Sequence, residues 1–223
     1  MNFNDFDTKS AFIAIVGRPN VGKSSLLNAL VGEKVAAVSA KPQTTRTRIT
    51  GILTRGKTQL VFIDTPGLHK PRTKLADFMV KQVGDSVSDV DLAVLVTEPK
   101  GEICAAEKEL MQRFRDLHMP AILCVNKIDT LEHKEEMLEK IAALSSEFEF
   151  EQVVPISALQ NDGIDILVSV LEGYAKPGPH YFADDSLTDQ PERAIVAELI
   201  RERILVDLEN EVPHGVAVSI ESM

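Results

Sequence analysis

Residues Gly17-Arg18-Pro19-Asn20-Val21-Gly22-Lys23-Ser24 match the pattern GxxxxGK[ST], directly after the apolar run 11–16 and, past Ser25, followed by the helical sequence LLNALV. Strand, glycine-rich loop and helix in that order form a cradle for anionic oxygens. Glycines let backbone N–H groups turn inward, and the helix adds the positive end of its dipole. In such a loop Lys23 reaches the β- and γ-phosphates and Ser24 holds Mg²⁺ through its hydroxyl. Gly17, Asn20, Val21, Gly22 and Ser25 complete the expected contacts. The motif restricts the chain to an α/β fold with this loop at a sheet edge.

The rest of the chain fits that restriction. Residues 11–16, 60–64, 91–96, 121–126 and 152–157 are nearly continuous apolar runs. Strands buried on both faces look like this, and they need helices above and below. Helical spacing fills the intervals at 23–31, 73–88, 103–117, 132–148 and 164–174. Residues 49–55 pair with 60–63 across Gly56-Lys57 as an antiparallel hairpin. The expected fold is an α/β three-layer P-loop NTPase, with a six-stranded, mostly parallel sheet and one antiparallel edge strand. Residues 175–179 lack helix or strand character and read as a linker. Beyond them, a helix over 187–208, capped by Thr188 or Asp189, and a strand at 216–220 form an incomplete α+β segment.

Of the 223 residues, 44% are hydrophobic and 26% charged, which excludes disorder. No apolar run approaches the ~20 residues of a spanning helix. With 24 Lys and Arg against 34 Asp and Glu, the net charge of −10 argues against a non-specific nucleic-acid clamp. Two cysteines are too few for a disulfide framework, and Asp5 and Asp7 stand where a signal peptide needs positive charge, so a cytoplasmic protein is expected. Cys124, inside AILCV, reads as core. His69, His118, His133, His180 and His214 show no metal-ligand spacing.

Further motifs fall at the ends of successive strands. Asp64-Thr65-Pro66-Gly67 delivers a carboxylate for a Mg²⁺ water and, at Gly67, an N–H for the γ-phosphate. Asn126-Lys127-Ile128-Asp129 supplies the base reader: guanine presents N1–H and N2–H₂ side by side, one carboxylate accepts both, and adenine has no such pair. The Lys127 stem covers the ring face and Asn126 ties this loop to the phosphate loop. Ser157-Ala158-Leu159 offers backbone N–H groups, chiefly that of Ala158, to guanine O6. The nucleotide is GTP or GDP. Residues 39–48 are polar and basic and read as a switch segment, with Thr45, preferred over Thr44, completing the Mg²⁺ shell when the γ-phosphate is present. Lys23, Thr45 and Gly67 are thus the expected catalytic groups. Leu68 stands where many GTPases carry a water-orienting glutamine, so unaided turnover on the order of 10⁻⁴ to 10⁻² s⁻¹ is expected. Asn20 is a candidate ligand for a potassium ion near the phosphates.

These motifs, with PQTTR before them and DTPGLHKP at the second, resemble the Era family of bacterial GTPases. The resemblance implies a GTPase domain over 1–176, then a linker and the opening of a KH domain over 177–223. It also implies a role with 16S rRNA in maturation of the small ribosomal subunit, with peripheral inner-membrane association in some members. Asn20 and Leu68 sit where similar potassium-dependent, glutamine-lacking GTPases place their counterparts. A KH module grips nucleotides through a GxxG loop, and no GxxG follows Gly178, so weak or no specific RNA binding is expected; the chain is expected to be a monomer. Lys41, Arg46, Arg48, Lys70, Arg72 and Lys74 read as solvated switch-loop charges. Two alternatives stay open: a sister GTPase acting in tRNA modification or other ribosome assembly, and a guanine-nucleotide-binding module with negligible hydrolysis.

Overall fold

A computed structural model describes residues 7–38, 49–64, 90–207 and 218–220. The apolar runs become β1 (Lys9–Val16), β2 (Ile49–Arg55), β3 (Thr58–Asp64), β4 (Leu92–Thr97), β5 (Ala121–Val125) and β6 (Gln152–Pro155). They lie in the order β2-β3-β1-β4-β5-β6. Only β2 and β3 pair antiparallel along this path; the other neighbours are parallel. The helices are α1 (Lys23–Val31), α2 (Ala105–Asp116), α3 (Glu135–Glu147), α4 (Ile164–Glu172) and α5 (Glu192–Asp207). The helix expected at 73–88 lies outside the described residues.

Alternation along β1 feeds two cores. Ile13 and Ile15 pack with Leu26 and Leu27 of α1 and Leu167 and Val168 of α4. Phe12, Ala14 and Val16 face the other way, onto Leu110, Met111 and Phe114 of α2 and Leu144 of α3. Cys124 is fully buried in the first core, and burial pushes its thiol pKa up. The register places Asp64 opposite Ile15, Leu95 opposite Val16, Thr97 opposite Val125, and Val125 opposite Pro155. The carboxyl ends of five strands therefore share one edge, the place where open α/β sheets hold their ligands.

Three features of the C-terminal part differ from the sequence reading. Lys176 and Pro177 form a seventh strand, β7 (Lys176–Pro177), antiparallel to the start of β1. The backbone there finds partners on an existing strand: Lys9 pairs with Pro177 and Ser10 with Lys176. Secondly, α5 starts at Glu192, after Pro191, rather than behind a Thr188 or Asp189 cap. The Thr188 hydroxyl instead accepts a bond from the Gln190 N–H at 3.3 Å. Thirdly, residues 218–220 form no strand, while 216 and 217 lie outside the described residues.

The chain after β7 is fastened along the sheet. The Thr8 and Ser10 hydroxyls donate to the carbonyls of Gly178 and Pro179, each at 2.7 Å. Gln59 of β3 is fully buried, and its side chain accepts from the Tyr181 and Phe182 N–H groups at 2.8 and 3.0 Å. Its amide donates to the Thr54 hydroxyl and the Phe182 carbonyl, each at 3.0 Å. Farther on, the Ile52 N–H on β2 donates to the Leu187 carbonyl at 2.9 Å.

A buried ion pair stands behind the end of β4. Lys140 of α3 and Glu107 of α2 meet at 3.1 Å with side chains 4% and 1% exposed. Glu107 also accepts from the Thr97 hydroxyl at 2.6 Å and the Cys104 N–H at 3.0 Å. Burial acts to raise its carboxyl pKa, but the hydroxyl, the N–H and the Lys140 ammonium outweigh it and hold the group below its ordinary 4.5. Lys140→Met leaves that carboxylate buried without its cation, and a loss of about 3–5 kcal/mol in urea unfolding at pH 7 is expected. Because the folded-state pKa is the lower one, the shift stabilises fully above the unfolded-chain value and its contribution is lost as pH falls through the folded value. The stability gap between the parent and Glu107→Gln therefore narrows on acidification below about pH 4.5.

Candidate nucleotide-binding site

The phosphate loop runs from the end of β1 to the start of α1, and its two glycines are required by their surroundings. Gly17 has φ +152°, and a Cβ there would lie 2.3 Å from the Val96 carbonyl oxygen. Gly22, the residue before α1, has φ +95°, and a Cβ would lie 2.3 Å from Asn126 Nδ2. Any larger residue would press the loop off its neighbours. Lys23 is 7% exposed and its ammonium donates to the Gly17 and Arg18 carbonyls at 3.1 and 2.9 Å. The cation is thereby folded into the loop's own ring. Ser24 follows it in the first turn of α1, beside Ser25. A ring closed by glycines around an ammonium suits a polyphosphate, and a hydroxyl one residue on suits its Mg²⁺.

Asn126, 1% exposed at the end of β5, joins three loops. Its Nδ2 donates to the Val21 carbonyl at 2.8 Å, and its Oδ1 accepts from the Ala158 N–H at 3.0 Å. The Ala158 N–H, expected to face guanine O6, here meets the buried Asn126 amide oxygen, which needs a donor. Lys127 has φ +68° and reaches back to the phosphate loop, its ammonium 2.6 Å from the Asn20 carbonyl. Asn20 itself is exposed at φ +64°. Asp129 lies within the turn Ile128–Thr130 after β5, and its Oδ1 accepts from the Ser157 hydroxyl at 2.5 Å. That hydroxyl also takes the Gln160 N–H at 3.1 Å, while Leu159 stands 84% exposed at the rim.

The register thus puts the backbone of Asp64, the phosphate loop, the Asn126–Asp129 turn and the Ser157–Leu159 loop on one edge. Thr45, Gly67, Leu68, His69 and the six basic residues named above lie outside the described residues. Among the described residues no cluster of His, Cys, Asp and Glu suits a metal ion.

Two residues near the site were not singled out from sequence. Asn28 lies one helical turn beyond Ser24. Its Oδ1 accepts from the Val35 and Ala36 N–H groups at 3.0 and 2.9 Å, and its Nδ2 donates to the Ala36 carbonyl at 2.9 Å. It fixes the start of the segment leading to 39–48. Glu98 follows the last residue of β4 and bonds both Arg18 and Lys127. An acidic residue directly after a strand end on the ligand edge was the available signal.

A phosphate-binding ring ahead of α1, faced across one sheet edge by an NKxD turn, defines a P-loop guanine-nucleotide-binding protein. The family model described as "50S ribosome-binding GTPase" matches residues 12–127. A GTPase Era of Clostridioides difficile is 48% identical over 96% of this chain and 72% of its own length. A second, from Ruminiclostridium cellulolyticum, is 44% identical over the same shares. Among solved structures, Era in complex with MgGDPNP and nucleotides 1506–1542 of 16S ribosomal RNA superimposes with TM-score 0.82 at 34% identity, covering 96% of this chain and 73% of that one. An Aquifex aeolicus Era variant bound to GDP·AlF4⁻ gives the same values. The chain belongs to the Era family of GTPases.

Asn126→Ala leaves the Val21 carbonyl and the Ala158 N–H without their partner. GDP affinity measured by calorimetry is expected to weaken by about 1–3 kcal/mol, the cost of groups left unpaired.

Proposed function

We propose that the chain is a GTP-hydrolysing switch in small-subunit ribosome maturation, with 16S rRNA as its partner. The observation that carries the nucleotide reading is the Asp129 carboxylate held by the Ser157 hydroxyl at the end of β5, on the same edge as the phosphate loop. That carboxylate, in this reading, accepts both donors of a guanine edge. In this reading Lys23 and the backbone of Gly17–Ser25 hold the phosphates, Ser24, Thr45 and Asp64 serve Mg²⁺, directly or through water, and Gly67 reports the γ-phosphate. Bound Mg²⁺ neutralises charge on the phosphate oxygens. Water attacks the γ-phosphorus, and GDP and inorganic phosphate leave. Leu68 cannot orient that water, so turnover is slow without a partner.

Support for the RNA assignment comes from the solved Era complex containing 16S ribosomal RNA, matched over 96% of this chain. The description of the matched family model points to the large subunit, but that match ends at residue 127, within the GTPase part. The Era likeness runs through the C-terminal segment as well and carries more weight. We read residues 1–176 as the GTPase domain and 177–223 as linker and KH-like segment, in a monomeric cytoplasmic protein.

Asp129→Asn exchanges one acceptor pair for a donor and an acceptor. Competition titration is expected to show preference moving from guanine to xanthine nucleotides, by at least about tenfold; unchanged preference removes the base assignment. Asn20 as a potassium ligand predicts faster GTP turnover in KCl than in NaCl at equal ionic strength, followed by phosphate release. Equal rates remove the ion.

A further inference from the structure

The guanine-side lysine is held by a residue that belongs to neither nucleotide motif. Glu98 directly follows β4, and its two carboxylate oxygens take different partners. Oε1 lies 2.5 Å from the Lys127 ammonium, and Oε2 bonds the Arg18 guanidinium. Lys127 is held from its other side by the Asn20 carbonyl at 2.6 Å. One carboxylate thus ties the base-reading turn to the second residue of the phosphate loop, and the ammonium closes the circuit two residues farther along that loop.

The position of Glu98 is itself anchored. Thr97, just before it, is fully buried; its hydroxyl donates to Glu107, and its carbonyl accepts the Asn126 N–H at 2.9 Å. The carboxylate therefore projects from backbone fixed by the β4–β5 pairing and by the Glu107–Lys140 pair. Charge-assisted bonds to two cations from such a base restrict the Lys127 chain to one direction. A lysine stem otherwise samples many rotamers, and each loses freedom when a ligand orders it.

We propose that Glu98 is a positioning residue for guanine-nucleotide binding: it pre-orders Lys127 against the phosphate loop so that the lysine stem is already in place when the purine arrives. This rests on the reading that Lys127 lies over the base. The role depends on reach as well as charge, since an aspartate is one methylene too short to serve Arg18 and Lys127 together.

The test is the release of fluorescently labelled GDP from the chain, followed by stopped flow after mixing with excess GDP. Glu98→Gln and Glu98→Asp are each expected to release the nucleotide faster by on the order of tenfold, the loss of a hydrogen bond to a charged group. In a Lys127→Met background, replacing Glu98 should change release by less than about twofold, because there is no ammonium left to position. Circular dichroism and thermal unfolding of the unliganded variants check folding. Release at the parent rate from a folded Glu98→Asp overturns the proposal, as does a full tenfold acceleration in the Lys127→Met background. If that background releases label too fast to follow, the Glu98→Asp result decides alone. A parent chain that takes up no labelled guanine nucleotide would sink the functional reading itself, whereas tight parent binding with indifferent Glu98 variants sinks only the role of Glu98.

Discussion

The carboxamide of Asn126 is the interaction on which the arrangement of the site turns. It sits almost without exposure between three backbone segments, and each side of it is used. The amide nitrogen holds the phosphate loop through Val21, and the amide oxygen holds the loop after β6 through Ala158. The space it occupies is the space that Gly22 lacks a side chain to fill. A phosphate-binding segment and a base-reading segment, 105 residues apart in sequence, are thereby held as one surface. The helix dipole and the Lys23 ammonium then act on a loop whose shape is already fixed.

Behind that surface lies a second tier of polar contacts with a different task. Glu107 and Lys140 join α2 to α3 beneath the end of β4 and take Thr97 into the same network. Such a pair is expensive to desolvate, and it is tolerated because each charge has additional partners: the Cys104 N–H for the carboxylate and the Glu102 carbonyl for the ammonium. Its benefit is location, since the strand end it fixes carries Glu98 to the rim of the nucleotide site.

The strands were legible because each is a continuous apolar run, and the motif residues because they stand where those runs stop. Asp64, Asn126 and Ser157 all announce themselves in this way. What sequence did not disclose depends on partners distant along the chain. The bond from the Ala158 N–H to the Asn126 side chain, 32 residues apart in the chain, is one example. Lys176 and Pro177 carry no strand signature, because their pairing is imposed by the free flank of Lys9 and Ser10. Asn28 sits in an ordinary polar position and Glu98 is marked only by following a strand end; the roles of both come from three-dimensional neighbours. Thr188 and Asp189 have good capping side chains, but the helix starts at Glu192, where the Pro191 carbonyl accepts the Ala194 N–H at 2.8 Å.

Gln59 has a consequence for how the molecule comes apart. Its amide is wholly enclosed, and four of its bonds run to Thr54, Tyr181 and Phe182. Peeling the 178–187 strap away breaks three of those four bonds and leaves the amide only Thr54, so the strap and the β2–β3 hairpin are energetically coupled. Loss of the strap therefore removes partners from the strand that ends in Asp64, so the two segments are expected to lose protection together.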